Sequence, residues 1–241
     1  MEGVYQKNII VELSRSDRDC LMSVPAVFEA FQDIAVEHAE KLGLGFDAMT
    51  AKGLFWITAK TKVRIYRRPK LLTPITVETW PCVPGPVRAD RCYRIKEGEE
   101  TVAEGRTEWA VIETASLRVH RLTDLYPEEL PLSGDLLLPD HFRRVSEDTS
   151  DCVERSPIVV RSIDIDLGHH MNNIAYIREM LSTYTTKELD SLQIKGLEVC
   201  FRHACYEGET LRVYERKTES GREIVMKKED GSPAFFALID L

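Results

Sequence analysis

The chain has 241 residues, 43% apolar and 30% charged, with a formal net charge of -8. That is the composition of an ordinary globular protein; the acidic balance excludes a general affinity for nucleic acid, and no apolar run is long enough to cross a membrane. The opening MEGVYQKNIIVELSRSD lacks the apolar core of a secretion signal and looks like a first strand. Cysteines at 20, 82, 92, 152, 200 and 205 form no C-x-x-C pair and match no zinc spacing. The expectation is a cytoplasmic protein with free, mostly buried thiols and neither metal nor cofactor.

In chain order, VPAVFEAFQDIAVEHAEKLG reads as the first helix. Ser23 is placed to cap it, Pro25 suits its first turn, Val24, Phe28, Phe31 and Ala35 recur at helical spacing, and Gly43 and Gly45 end it. Strands follow in TKVRIYRR, ITVETW, RADRCYRIK and TEWAVIETASLRV, punctuated by turns such as PCVPGP and KEGEE. Residues 123–155 carry Pro, Gly and Ser without a clear period and read as a linker. Beyond it come a strand IVVRSID, a polar knot, a helix at about 173–186, and strands LEVCFRHA, ETLRVYERK, REIVMKKED and AFFALID.

The order of elements repeats. Residues 63–80 lie over 199–216 without a gap, so that Val63 falls on Val199, Ile65 on Phe201, Ile75 on Leu211 and Val77 on Val213. Two copies of a helix followed by antiparallel strands predict an α+β protein of two similar units, an internal pseudo-dimer.

The polar knot is DIDLGHHMNN, residues 164–173. His170 is the residue type best suited to proton transfer, and a nearby carboxylate such as Asp166 would fix its tautomer. Either Asn172 or Asn173 caps the helix that follows. Asp164 and Asp166 share a face if SIDID is a strand, so the pattern leaves open which of them meets a ligand. The helix start offers unpaired N–H groups that can hold a developing oxyanion. A carboxylate, a base and an oxyanion site together suit acyl transfer to water. Capping and turn chemistry are the plain alternative; a thiol site built on Cys200 or Cys205 with His170, or a metal bound by the histidines and aspartates, has less support. The first half carries no matching polar knot.

With these residues in view, the chain resembles the acyl-acyl-carrier-protein thioesterases of bacteria and plants. The resemblance rests on DIDLGHHMNNIAYI and YEGETL in the second half. In the first half it rests on QDIAVEHAEKLG, GLFWITAKTKVRIYRRP, ITVETWP and EWAVIETASLRVHRL. It implies a tandem (double) hotdog, two long helices each wrapped by an antiparallel sheet, with an acyl-chain-binding unit at 1–122 and a catalytic unit at 156–241. It implies hydrolysis of the thioester of a fatty acyl carrier protein, with Asp166 and His170 catalytic and Asn172 and Asn173 near the substrate. Phe28, Phe31, Trp56 and Trp80 become candidates for the wall around the acyl chain. Two positions depart from the family pattern: Gly168 stands where an Asn is usual, and His203 where a Glu is usual, which makes His203 a third catalytic candidate. The partner implied is the acyl carrier protein, which the basic groups at Arg64–Lys70, Arg88–Arg94 and Arg143–Arg144 could receive; a homodimer is compatible. A non-hydrolytic acyl-thioester binder and an acyl hydratase or dehydratase of the same fold are the alternatives.

Overall fold

The computed structural model describes residues 3–126 and 130–241. The chain divides into two compact units, Met1–Asp140 and His141–Leu241, and the division falls inside the stretch expected as a linker.

The first unit runs β1 (Tyr5–Ile10), a 3-10 turn (Leu13–Arg15), α1 (Val24–Lys41), α2 (Phe46–Thr50), β2 (Leu54–Ile65), β3 (Pro74–Pro81), β4 (Ala89–Glu97), β5 (Glu100–Glu113) and β6 (Val119–His120). Its strands pair antiparallel in the order β1-β3-β4-β5-β2, with β6 folded back on β5. Ser23 caps α1 by accepting the Ala26 N–H at 3.2 Å, with Pro25 in the first turn. Val24, Val27, Phe28, Phe31, Ile34, Ala35 and His38 form its buried stripe, and the helix packs on β1 and β3. Gly105 in β5 makes that packing possible. A Cβ there would stand 2.3 Å from the Phe31 ring, so only glycine lets the ring lie on the sheet, where it stacks on Tyr93 at 4.7 Å.

Strand alternation gives the sheet two different faces. Ala89, Arg91 and Tyr93 of β4 look toward α1, whereas Asp90, Cys92 and Arg94 look away. The far face is charged and paired: Arg94 meets Glu78 and Glu104, Lys96 meets Glu78, and Arg106 meets Asp90 at 2.8 Å. Trp80, Cys82 and Cys92 form a small apolar cluster on that same face, closed by Val4 and Leu137.

The second unit runs β7 (Val153–Glu154), β8 (Ile158–Val159), a 3-10 turn (Ser162–Asp164), α3 (Asn173–Ser182), α4 (Thr186–Ser191), β9 (Gly196–Phe201), β10 (Thr210–Lys217), β11 (Gly221–Lys228) and β12 (Pro233–Asp240). Its order is β9-β12-β11-β10-β7, again antiparallel, with β8 also on β10. β12 has a neighbour on each side and reads AFFALI almost without a polar residue, the mark of a strand buried on both faces. Tyr176 of α3 stacks on Phe235 of β12 at 5.3 Å and meets Phe201 of β9 edge-on.

The internal repeat stands: Pro74–Pro81 and Thr210–Lys217 are strands of the same length at the aligned positions. Three boundaries differ from expectation. The second long helix stops at Ser182 instead of about 186, because Thr185 opens a new helix. Its hydroxyl accepts the Glu188 N–H while Glu188 reaches back to the Thr185 N–H. IVVRSID pairs only over Ile158–Val159, because the Asp164 carboxylate accepts the Arg161 N–H at 2.8 Å and folds 162–164 into a 3-10 turn. TEWAVIETASLRV is two strands, β5 and β6, joined by a turn in which Leu117 takes a positive φ.

Candidate active site

The polar knot is a tight hairpin set between the 3-10 turn and α3. Ile165 and Met171 bridge antiparallel, the Asp166 N–H donates to His170 O at 3.0 Å, and the His169 N–H donates to Asp166 O at 3.0 Å. His169 closes the turn in the left-handed region, at φ 59. That is a β-turn followed by one left-handed residue, a common way to reverse a strand in three residues. His169 is thereby committed to the backbone reversal.

This geometry separates the two aspartates. Asp164 is buried; its carboxylate accepts the Arg161 N–H and its carbonyl accepts the Asn172 N–H at 2.7 Å. Asp166 is partly exposed, and its Oδ1 accepts the Gly168 N–H at 2.8 Å. It stands 3.9 Å from His170 Nδ1, an ion-pair distance and too long for a hydrogen bond. His170 Nδ1 lies closer to Met171 O, at 3.3 Å. A carbonyl can only accept, so Nδ1 carries the hydrogen and Nε2 is left with a lone pair.

Gly168 borders that nitrogen directly. A Cβ at 168 would lie 2.9 Å from His170 Nε2 and 3.1 Å from Asp166 Oδ1. Of the two asparagines, Asn172 is the cap, its Oδ1 accepting the Ile174 N–H at 2.7 Å. A helix start leaves four N–H groups without intrahelical acceptors. Asn172 N–H and Ile174 N–H are used as described; among the described residues no side chain takes those of Asn173 and Ala175, at the mouth of α3.

His203 follows β9 on an exposed segment. Its Nδ1 donates to Pro233 O at 2.7 Å and its carbonyl accepts the Tyr176 hydroxyl. The same segment touches the helix entrance through Met171 N–H and Cys205 O, 2.8 Å apart. Among the described residues no hydrogen bond or ion pair joins the His203 ring to Asp166 or His170. Cys205 is buried, which pushes its thiol up, and its Sγ faces His203 O at 3.8 Å; it has no feature of an activated nucleophile.

The first unit holds a twin of this hairpin that sequence reasoning missed. Ser16 and Met22 bridge antiparallel, the Asp17 N–H donates to Leu21 O, the Cys20 N–H donates to Asp17 O, and Cys20 has φ 56. The Asp19 N–H donates to Asp17 Oδ1 at 3.0 Å, as Gly168 does to Asp166. A 3-10 turn precedes it and a capped helix follows, so Asp17 answers to Asp166, Asp19 to Gly168 and Leu21 to His170. The first half has no matching polar knot, but it has the same hairpin: the backbone is kept, the base is lost. Asp17 is tied to Arg68; burial works to raise its carboxyl, but Arg68 and the Leu21 N–H outweigh this and hold it below the usual range.

The four aromatic candidates are not together. Phe28 and Phe31 are buried on the core stripe of α1. Trp56 is half-buried on the α1 face of the sheet, edge-on to Trp109 and Tyr126, with its Nε1 donating to Leu44 O. Trp80 is on the opposite face. It pairs across the strands with Cys92, and its Nε1 donates to Asp135 O at 2.8 Å. Trp109, Tyr93 and Tyr126 share the face of Trp56 and were missed, although the alternation in EWAVIE already sets Trp109 and Val111 on one side. The basic groups are largely spoken for: Arg67 binds Glu97 and Glu100, Arg68 binds Asp17, Arg88 is near Glu108, and Arg143 binds Glu198 and Asp240.

Comparison with known proteins bears on the same residues. The family model for the acyl-ACP thioesterase N-terminal domain matches residues 2–130, and that for the C-terminal domain matches 147–233. The chain is 22% identical over 219 residues to the oleoyl-acyl carrier protein thioesterase of Coriandrum sativum, covering 83% of this chain and 59% of that protein. It is 23% identical over 216 residues to the palmitoyl-acyl carrier protein thioesterase of Arabidopsis thaliana, covering 84% and 52%. The chain thus spans about half to two thirds of the length of the curated relatives it matches. Among solved structures, an acyl-ACP thioesterase from Bacteroides thetaiotaomicron superposes with a TM-score of 0.82 at 17% identity, covering 98% of this chain and 97% of that one. The 12:0-ACP thioesterase from Umbellularia californica gives 0.80 at 18%, covering 98% and 96%. The fold is therefore two hotdog units in tandem, each a helix against its own antiparallel sheet. With both domain models matched in order along a chain whose two halves repeat one hairpin, helix and sheet, the protein belongs to the acyl-ACP thioesterase family.

Proposed function

We propose that this protein hydrolyses the thioester of a fatty acyl carrier protein, releasing the free acid and the carrier's thiol. The observation that carries the reading is the setting of His170: its Nδ1 lies 3.3 Å from Met171 O and 3.9 Å from Asp166, an arrangement that leaves Nε2 as the ring's acceptor. Nε2 takes a proton from water as the water oxygen adds to the thioester carbon. The carbonyl oxygen becomes an oxyanion, which the Asn173 and Ala175 N–H groups at the mouth of α3 are suited to receive. Collapse breaks the C–S bond, and the imidazolium returns its proton to the leaving thiolate. Asp166 acts on His170 by charge, Asn172 by holding the helix start, and His203 is a further candidate whose Nε2 is unused by its contact with Pro233. The first unit receives the acyl chain, with Phe31, Trp56, Trp109 and Tyr126 as its wall. The acyl carrier protein is the partner and the cytoplasm the compartment.

The test is thiol release from acyl carrier proteins loaded with C4 to C18 chains, with wild type and His170→Ala side by side. Loss of the base is expected to lower turnover by roughly 10²–10⁴-fold. A folded His170→Ala protein that turns over like wild type refutes the mechanism.

A further inference from the structure

Arg91 lies on the α1 face of the first unit's sheet, between Ala89 and Tyr93 of β4, and is half-buried. Its guanidinium donates to His38 Nδ1 at 3.0 Å and to Thr79 Oγ1 at 3.3 Å. Among the described residues it forms no ion pair. The arginines on the other face of the same sheet do: half-buried Arg94 has Glu78 and Glu104, and buried Arg106 has Asp90. A guanidinium cannot shed its charge, so one withdrawn from water without a counter-ion is costly. Burial and the nearby cations Arg91 and Lys41 push His38 down to about 4, so this neighbour is neutral and supplies no charge.

The internal repeat shows what is missing. In the first unit Pro81 pairs with Arg91, and in the second Lys217 pairs with Arg222; since Pro74–Pro81 maps onto Thr210–Lys217, Arg222 is the counterpart of Arg91 and Glu215 that of Thr79. Arg222 meets the carboxylate of Glu215 at 3.3 Å. The first unit keeps the arginine and has a threonine hydroxyl in place of the acid. Around it stand the hydroxyl of Tyr93, with the Trp109 Nε1 donating to it, and Thr107, amid the apolar residues of the α1 face.

We propose that Arg91 is a specificity-determining residue that binds a carboxylate carried on the acyl chain, so that the substrates favoured are mono-thioesters of dicarboxylic acids. The ligand supplies the carboxylate that Glu215 supplies to Arg222, with Thr79 and His38 holding the guanidinium in place. This rests on the thioesterase reading and on the first unit receiving the acyl chain.

The experiment compares plain acyl and ω-carboxyacyl carrier proteins of matched length by thiol release, for wild type, Arg91→Met and Thr79→Glu. Wild type is expected to favour the ω-carboxyacyl substrate at one or more lengths. Arg91→Met should lose roughly 10–100-fold in kcat/KM on that substrate, the range for a hydrogen bond to a charged group, and should hold or gain on the plain chain. Thr79→Glu should cancel the selectivity by restoring the internal pair seen in the second unit. A wild type with no preference at any length, or an Arg91→Met protein that loses both substrates in equal proportion, overturns the proposal. Calorimetry of free sebacate against free decanoate with the three proteins reads the same site without turnover. If no acyl carrier protein releases thiol but sebacate binding still depends on Arg91, the hydrolytic reading fails and the carboxylate site stands.

Discussion

Gly168→Ala probes the mechanism at its narrowest point. The added methyl would stand 2.9 Å from His170 Nε2, 3.1 Å from Asp166 Oδ1 and 3.3 Å from His170 Cδ2. Ordinary contacts to a methyl carbon are about 3.5 Å or longer, so the ring must retreat by about half an ångström. The His170 side chain is 32% exposed and has room to swing outward, so the fold should tolerate the change within about 0.5 kcal/mol. Catalysis should not: a displacement of about 1 Å at a reacting group can cost about 10²-fold, which scales to roughly 10-fold for half that distance, and the methyl also screens Nε2 from water. The assay is kcat/KM for thiol release beside a thermal melt. The expected pattern is a melting temperature within a degree or two of wild type and a fall of roughly 10-fold in kcat/KM. Wild-type kinetics in Gly168→Ala would show that Nε2 is not the base, since a displaced and partly screened Nε2 could not work at the wild-type rate.

Two further outcomes follow from local contacts. His38 is held down to about 4, chiefly by burial and then by Arg91 and Lys41, against an unfolded value near 6.5. The unfolded chain therefore takes up a proton first as pH falls, and stability should drop by up to about 3 kcal/mol between pH 6.5 and 4 and then level off; denaturant melts of His38→Gln should lack that part of the slope. Asn172→Ala removes the cap of α3 and should cost about 1 kcal/mol in the same melts, whereas Asn173→Ala should leave stability unchanged and weaken kcat/KM; the reverse assignment would mean that the two asparagines had been confused.

Much of this was legible because it depends on period and on local chemistry. Ser23, Pro25 and the stripe through Phe28, Phe31 and Ala35 define α1 without any tertiary information. The ungapped match of residues 63–80 to 199–216 identified two equivalent units, because strands buried on the same face need the same alternation. What stayed hidden depends on hydrogen bonds that no periodicity encodes. Asp164 and Asp166 look alike as a strand pair, and only the Arg161 N–H, by drawing Asp164 into a turn, separates a buried structural acid from an accessible one. Trp80 and Trp56 look alike as aromatic strand residues, yet the parity of cross-strand pairing puts them on opposite faces. The twin hairpin was missed because it conserves backbone geometry: one aspartate whose Oδ1 accepts the N–H two residues on, and one left-handed residue that is Cys20 in one copy and His169 in the other.

The two hairpins together say what a catalytic copy requires beyond its fold. Both hold an aspartate against a backbone amide, and both open a capped helix. Three of their differences bear on the chemistry: Leu21 against His170, Asp19 against Gly168, and the presence of Arg68 on Asp17. An aspartate saturated by a guanidinium has no charge to lend to an imidazolium, so Asp17 is spent on structure, whereas Asp166 has, among the described residues, the Gly168 N–H and a histidine at ion-pair distance. With His170 placed as it is here, a side chain at 168 would meet Nε2, and glycine leaves that nitrogen open. The glycine that departs from the family pattern is thus accounted for by the space it leaves, and the same logic runs in the opposite sense at Arg91, where the first unit keeps an arginine and omits its acid. In each pair the unit that lacks an internal partner is the one with a group left over for a ligand: His170 Nε2 in the second unit, and the Arg91 guanidinium in the first.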